Sequence, residues 1–231
     1  MTVYHSLKTI LVKVPKTAST SLSSKLNLLN GVIGGLMEEG SGLEKHEGIL
    51  DIKKNTNKHD FATYKKIAFV RNPYDWIVSY YFYHKDMSKR FLLNNGTIFE
   101  HITMSKDELI EKYKFLKEIN ILELSFEDFL KIIESKHNSN EFHYKPQYQY
   151  LVDEDEKIIV DWIGRYENLN NDWISLSEEL SIKDSLFWSQ LSLENVGKRD
   201  HFKKYYTKEA VNIVKRIYKK DFDILGYSTL L

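Results

Sequence analysis

The sequence predicts an α/β fold of the P-loop-like, three-layer kind, with a central, mostly parallel sheet flanked by helices. Apolar residues make up 42% of the 231 residues, which is enough to bury a full core. Short apolar stretches typical of buried strands are separated by stretches that carry helix-start signals. Two of these strands run into a polar turn and then into a helix, and turns of this form meet at one edge of a parallel sheet.

Three segments are predicted to be strands because they are short, apolar and rich in β-branched residues. They are Leu7–Val14, Lys66–Val70 and Ile158–Tyr166. Pro15 directly follows the first segment and ends it.

Helix starts are predicted where a capping residue precedes an apolar pattern. Ser19 or Thr20 should cap a helix that Gly31 ends. Asn72 should cap another, with Pro73 at its first position. Further helices are predicted at 106–118, after Ser125, at 171–180 and from Thr207 to Gly226, whereas 46–54 is helical or irregular and 55–60 is a polar turn.

No repeat, linker or composition break interrupts the chain, so residues 1–231 are predicted to form a single domain with a helical insertion at about 89–140. Cysteine is absent, which excludes disulfides and cysteine-bound metals. The apolar run within Met1–Val14 is too short for a signal peptide or a membrane span, so we expect a soluble, cytoplasmic protein. The 33 basic and 33 acidic residues balance, which disfavours nucleic acid as a partner.

The first strand-to-helix turn, VPKTASTSL, has the composition of an anion site. A helix N-terminus presents backbone N–H groups and the positive end of the helix dipole. Lys16 adds a charge, and four hydroxyl groups add hydrogen-bond donors: Thr17, Ser19, Thr20 and Ser21. The segment lacks the glycines of the ATP-binding P-loop, GxxxxGK[ST]. An ordinary Ser/Thr-rich helix cap is the alternative for this segment alone.

The second turn, FVRNPYDWIVSYY, places Arg71 at the strand end and Ser79 about two helical turns further on. An arginine and a hydroxyl so placed can hold one phosphate, the arginine through two parallel hydrogen bonds. The alternative is an ion pair between Arg71 and Asp75 at the helix start. A single ligand with two separated anionic groups accounts for both turns together.

These two segments resemble the 5′-phosphosulfate and 3′-phosphate binding motifs of sulfotransferases that use 3′-phosphoadenosine 5′-phosphosulfate (PAPS), in particular the membrane-type carbohydrate sulfotransferases of the Golgi. The likeness extends to KHEGILDIKK, VDWIGRYENL and KKDFDILGY in the same order, and it covers about Val12 to Tyr227. Two features differ. Trp76 stands where the family usually has a basic residue, and the sequence contains no cysteine, whereas the Golgi members have cysteines together with a stem and a membrane anchor that we do not expect in this protein.

The resemblance implies a sulfotransferase that moves a sulfuryl group from PAPS onto a hydroxyl of a carbohydrate-like acceptor. Lys16 would neutralise the leaving oxygen, while Arg71 and Ser79 would hold the 3′-phosphate. The residues after Lys16 would hold the 5′-phosphate: Thr17, Ala18, Ser19, Thr20 and Ser21. Lys198 and Arg199 belong to a basic loop that, in relatives, closes over the nucleotide. No metal ion is expected, because the transferred group carries less charge than a phosphoryl group.

A histidine is expected to take the proton of the acceptor hydroxyl, because histidine suits a general base near neutral pH. The resemblance favours His46, and His143 is the second candidate. His143 and Gln147 stand in the aromatic loop HYKPQYQY, which could line a sugar site. The strand end Arg165–Glu167 is interpreted mainly as structural, with Glu167 ordering the site.

Each of these assignments has a plainer alternative: a solvated histidine, ordinary loop packing, or a solvated charge run. Two other functions also stay open. One is a P-loop-type nucleotide-dependent kinase, which would need a glycine-rich loop and acidic residues for Mg²⁺. The other is a non-catalytic module that binds a nucleotide or a sugar. The sequence does not indicate the acceptor or the oligomeric state.

Overall fold

The structure is a computed structural model, and it describes residues 3–34, 46–93, 119–137, 145–182 and 199–231. The chain forms two compact units, each built from two stretches of sequence. The first unit comprises Met1–Asn72 and Gln147–Val196, and the second comprises Pro73–Pro146 and Gly197–Leu231. That residues 1–231 act as a single domain stays a prediction, and part of the predicted insertion at about 89–140 lies outside the described residues.

The first unit contains a four-stranded sheet in the order β1-β2-β3-β4. The strands are β1 (Val3–Tyr4), β2 (Thr9–Val12), β3 (Lys65–Val70) and β4 (Trp162–Arg165). β2 and β4 each pair with β3 in parallel, and β1 joins the edge of β2 in antiparallel orientation. The predicted α/β fold with a mostly parallel sheet is confirmed.

Helices belong to both units. In chain order they are α1 (Ser19–Gly34), α2 (Ile49–Asn55), α3 (Lys58–Thr63), α4 (Pro73–Leu93), α5 (Phe126–Lys136), α6 (Leu169–Glu179), α7 (Lys208–Ile217) and α8 (Lys219–Leu225). Short 3₁₀ helices cover Gln147–Tyr150, Tyr166–Asn168 and Phe202–Tyr205. Within the part of the chain that the structure describes, no helix combines the length and the apolar character that a membrane span requires.

The central strands are buried on both faces. Every residue of β2 is buried, and so are the last four residues of β3. Strands covered on both sides are apolar throughout instead of alternating, which explains why their sequences are continuous apolar runs. Side chains of α1 and α6 share one hydrophobic cluster with the strands: Leu11, Leu22, Leu26, Leu29, Ile67, Phe69, Leu169, Trp173 and Leu176.

Two predicted strands are shorter than expected, because their ends bond elsewhere. Val14 N donates to Val12 O at 3.1 Å, which turns the chain out of the sheet after β2. Ile159 N donates to Leu151 O at 3.0 Å, so the start of the third predicted strand pairs locally instead of with β3. β1 was not predicted from the sequence, because it consists of only two residues.

The predicted helix starts at Pro73, after Ser125 and after Thr207 are confirmed, whereas the helix predicted from residue 171 begins at Leu169 and several ends are wrong. α1 continues through Gly31 to Gly34, so this glycine does not end it. The predicted polar turn at 55–60 is wrong, because the side chain of Asn57 accepts from His59 N at 2.8 Å and caps α3. The predicted helix from Thr207 to Gly226 is two helices with a break at Tyr218, where φ is −104°. The predicted helix at 106–118 lies outside the described residues.

The second unit has an aromatic core. Its helices α4, α5, α7 and α8 contribute Tyr74, Trp76, Tyr80, Tyr81, Phe126, Phe129, Ile213, Val214, Tyr218 and Phe222. Trp76 is fully buried there and packs edge-on against Tyr80 and Tyr218. Tyr206 donates its hydroxyl hydrogen to Tyr74 O at 2.8 Å, and burial raises the pKa of that hydroxyl well above its ordinary value.

Two predicted helix caps are confirmed in the second unit. Ser125 Oγ accepts from Asp128 N at 3.1 Å at the start of α5. Thr207 Oγ1 accepts from Ala210 N at 3.0 Å at the start of α7. Each side chain satisfies a backbone donor that the helix itself leaves without a partner.

Gly164 allows two aromatic side chains to meet over the sheet. It pairs with Phe69 across β3 and β4. The ring centroids of Phe69 and Trp162 lie 5.2 Å apart. A Cβ atom at this position would lie 2.4 Å from Phe69 Cε1 and 2.6 Å from a ring carbon of Trp162. No carbon atom fits at such distances, so the packing requires glycine.

We expect Gly164→Ala to lower the free energy of unfolding by about 1–3 kcal/mol, because the added methyl overpacks the core. Urea unfolding followed by tryptophan fluorescence measures the change. Lys53→Ala, an exposed substitution on α2, is the control and should stay within about 0.5 kcal/mol of the parent protein. Equal stability of Gly164→Ala and the parent would contradict this packing.

Candidate functional site

The turn between β2 and α1 contains two non-glycine residues in the left-handed region. Lys16 has φ 61° and Ala18 has φ 63°. Such conformations cost about 1–2 kcal/mol each, and they persist where the surrounding structure demands them. They let the chain turn from strand into helix within a few residues without glycine.

The hydroxyl groups of this turn do not all serve the same purpose. Thr17 is buried, and its hydroxyl donates to Val14 O at 2.8 Å, so it closes the turn. α1 begins at Ser19, which makes Ala18 the residue in front of the helix. The predicted cap by Ser19 or Thr20 is therefore displaced, because both residues already lie inside the helix.

Alanine has no side-chain oxygen, so Ala18 cannot cap α1 as a serine would. The first N–H groups of any α-helix have no carbonyl partner within the helix. The backbone of Ser19, Thr20 and Ser21 thus offers donors of the kind that bind anions at helix starts. Lys16, half-exposed in the same turn, adds a positive charge beside them.

Arg71 follows the last residue of β3 and contacts the first turn directly. Its Nη1 donates to the backbone oxygen of Lys16 at 3.1 Å. Its guanidinium lies 3.8 Å from the ring centroid of Tyr166, which is cation–π and stacking distance. Two residues that are 55 positions apart in sequence are thereby joined at the carboxyl ends of neighbouring parallel strands.

The backbone at this point is held by two further side chains. Gln147 Oε1 accepts from Arg71 N at 2.9 Å, and its Nε2 donates to Arg71 O at 2.7 Å. Glu167 Oε1 accepts from Asn72 N at 2.6 Å. The interpretation that Glu167 orders the site agrees with this contact, and the predicted acceptor contact of Gln147 stays a prediction.

His46 is joined to the segment that precedes the first turn. Its Nδ1 lies 2.9 Å from the backbone oxygen of Lys13. Because a carbonyl oxygen only accepts hydrogen bonds, Nδ1 carries the proton in this contact. In the neutral ring Nε2 then holds the lone pair, which is the arrangement a general base needs.

Two predicted residues lie in the second unit. Ser79 is half-buried on α4. Arg199 forms an ion pair with Asp75, in the first turn of α4, and both side chains are largely buried, at 14% and 13% exposure. This contact anchors the segment after 199 to the helix start, while nucleotide contacts of Ser79 and Arg199 stay predictions.

Lys198 and His143 lie outside the described residues, so their predicted contacts with nucleotide and acceptor stay predictions. The contact of Tyr166 with Arg71 was not predicted from the sequence. A signal was present, because Tyr166 is the last residue of the predicted third strand, and ends of parallel strands meet at one edge of the sheet.

Comparison with models of protein families matches residues 1–228 to the sulfotransferase family. The comparison with curated proteins found no match. The comparison with solved structures found none either.

Proposed function

The chain belongs to the sulfotransferase family, and from this premise we propose that it transfers a sulfuryl group from PAPS to a hydroxyl of a carbohydrate-like acceptor. The observation that carries the proposal is a pair of contacts at one turn. Arg71 Nη1 bonds to Lys16 O, and His46 Nδ1 bonds to Lys13 O. Lys16 is expected to act on the leaving group, Arg71 on the 3′-phosphate and His46 on the acceptor proton. All three therefore belong to, or bond to, the four-residue segment Lys13–Lys16.

The donor end of the proposal rests on charge. In sulfuryl transfer the acceptor oxygen attacks sulfur, the bond between sulfur and the bridging oxygen breaks, and adenosine 3′,5′-bisphosphate leaves. Negative charge grows on the bridging oxygen and the 5′-phosphate. Lys16 and the backbone donors of Thr17–Ser21 would stabilise that negative charge from positions they already hold. Such electrostatic stabilisation of the transition state is the largest catalytic contribution in many group transfers.

The 3′-phosphate end rests on Arg71. Its guanidinium is a fork of N–H donors that suits a phosphate better than a lysine does. Ser79, eight residues further along the same motif, would add a hydroxyl. Lys198 and Arg199 are the further proposed nucleotide contacts.

The acceptor end rests on His46. With Nδ1 donating to the Lys13 carbonyl, Nε2 would accept the proton of the acceptor hydroxyl as its oxygen bonds to sulfur. The carbohydrate class of the acceptor follows from the resemblance to carbohydrate sulfotransferases. His143 is the proposed acceptor contact. The segment that contains Gln147 would line the acceptor site, while the buried carboxamide of Gln147 itself bonds to Arg71.

The donor is tested by calorimetric binding of adenosine 3′,5′-bisphosphate, with AMP as the matched ligand that lacks only the 3′-phosphate. We expect the bisphosphate to bind at least about tenfold more tightly, because a phosphate held by an arginine makes charge-assisted hydrogen bonds. Equal binding of the two nucleotides would favour a kinase-like reading. If neither nucleotide binds, the proposed nucleotide site is wrong.

We expect Lys16→Ala to lower sulfuryl transfer by about 100- to 1,000-fold, because the leaving oxygen loses its cation. The rate is measured as transfer of labelled sulfate from PAPS to a panel of glycan acceptors. Lys53→Ala removes an exposed lysine of the same unit and should leave the rate unchanged. Equal rates for Lys16→Ala and Lys53→Ala would overturn the assignment of Lys16.

We expect the wild-type rate to fall as the pH is lowered, because a protonated imidazole cannot accept the acceptor proton. His46→Ala should lower the rate at neutral pH by about 100- to 10,000-fold and should flatten this acid limb. His59→Ala, at an exposed position of α3, is the matched control. An unchanged acid limb in His46→Ala would assign the base to another residue, with His143 next to be tested.

A further inference from the structure

We propose that Gln147 and Tyr166 are positioning residues for Arg71, and that through it they set the preference for a nucleotide with a 3′-phosphate. The inference rests on the proposed function, in which Arg71 binds that phosphate. It concerns two side chains that would act on the ligand through the arginine. Neither the sulfotransferase match nor the motif spacing assigns them this role.

Gln147 holds the main chain of Arg71. Val70 is the last residue of β3 that pairs with β4, so Arg71 lies one step beyond the ladder. Arg71 is nevertheless buried, at 6% exposure, and buried peptide groups need hydrogen-bond partners. The carboxamide of Gln147 bonds to both the backbone N–H and the backbone C=O of Arg71. A side chain thus supplies the hydrogen bonds that a further residue of the neighbouring strand would otherwise make.

A carboxamide suits this position because it offers one donor and one acceptor side by side. Aliphatic side chains of the same size offer neither. Gln147 has 0% exposure, and both its carboxamide oxygen and its carboxamide nitrogen bond to Arg71. Because the side chain is buried, we expect it to act on a bound nucleotide through the arginine.

Tyr166 holds the side chain of Arg71. The phenol ring lies 3.8 Å from the guanidinium carbon, which orients the guanidinium plane. Bidentate binding of phosphate depends on that plane, because the two N–H bonds lie in it. Arg71 Nη1 also donates to Lys16 O. The arginine is therefore fixed at three places: its backbone by Gln147, its guanidinium plane by the Tyr166 ring, and its Nη1 by the first turn.

An arginine held in this way loses less rotamer freedom when a phosphate arrives than a mobile one would. The gain applies only to a ligand that carries the 3′-phosphate. A nucleotide without it, such as AMP, would bind equally well whether or not Arg71 is held. The ratio of the two dissociation constants therefore reports the positioning, whereas general damage to the fold or site would weaken both ligands.

The experiment measures calorimetric dissociation constants of adenosine 3′,5′-bisphosphate and AMP for the full chain and three variants. Tyr166→Leu removes the ring, and Tyr166→Phe, its matched control, keeps the ring. Gln147→Met keeps the size but removes both hydrogen-bonding groups. We expect Tyr166→Leu and Gln147→Met to weaken the bisphosphate by about 2- to 30-fold with AMP unchanged, and Tyr166→Phe to retain the parent ratio.

The outcomes separate this inference from the proposed function. If the parent protein does not prefer the bisphosphate over AMP, the proposed function fails, and the positioning role falls with it. If the parent has the preference but Tyr166→Leu keeps the ratio, the positioning role alone is wrong. Tyr166 is half-buried, and a thermal melt checks that its variants fold, so this pair decides the role of Tyr166 even if Gln147→Met does not fold. If Gln147→Met folds and keeps the parent ratio, the role of Gln147 is wrong.

Discussion

The parallel pairing of β3 with both of its neighbours is the constraint on which the candidate site depends. It aligns Leu11 with Ile67 and Phe69 with Gly164, so the three strands end at the same edge of the sheet. The residues that follow each strand are then neighbours, although they come from distant parts of the chain. The contacts of Arg71 with Lys16 and with Tyr166 follow from this alignment.

Burial explains why this edge carries so many side-chain to backbone bonds. A strand that ends inside the protein leaves peptide groups that water cannot reach, and each needs a partner. Gln147 supplies both partners for the buried Arg71, and Glu167 adds a more exposed bond to Asn72 N. The same bonds fix the main chain beneath the arginine, so a requirement of folding also orders a residue of the candidate site.

The agreement between prediction and structure depends on the range of the interactions. Helix starts at Pro73, Phe126 and Lys208 were predicted correctly, because caps are formed by residues adjacent in sequence. Ends were less accurate. Gly31 remains inside α1, where tertiary packing of the apolar face outweighs the low helix propensity of one glycine.

For this chain, local sequence patterns were enough to identify the α/β class, both strand-to-helix turns and the candidate residues Lys16 and Arg71, since composition and short-range spacing carry that information, whereas His46 was chosen from the resemblance to carbohydrate sulfotransferases. They could not reveal that Gln147 bonds to the backbone of Arg71, or that Tyr166 lies against its guanidinium. Those contacts join residues 76 or more positions apart. Only the folded sheet brings such residues together, because the register of parallel strands is set by burial of the whole core and not by neighbouring residues.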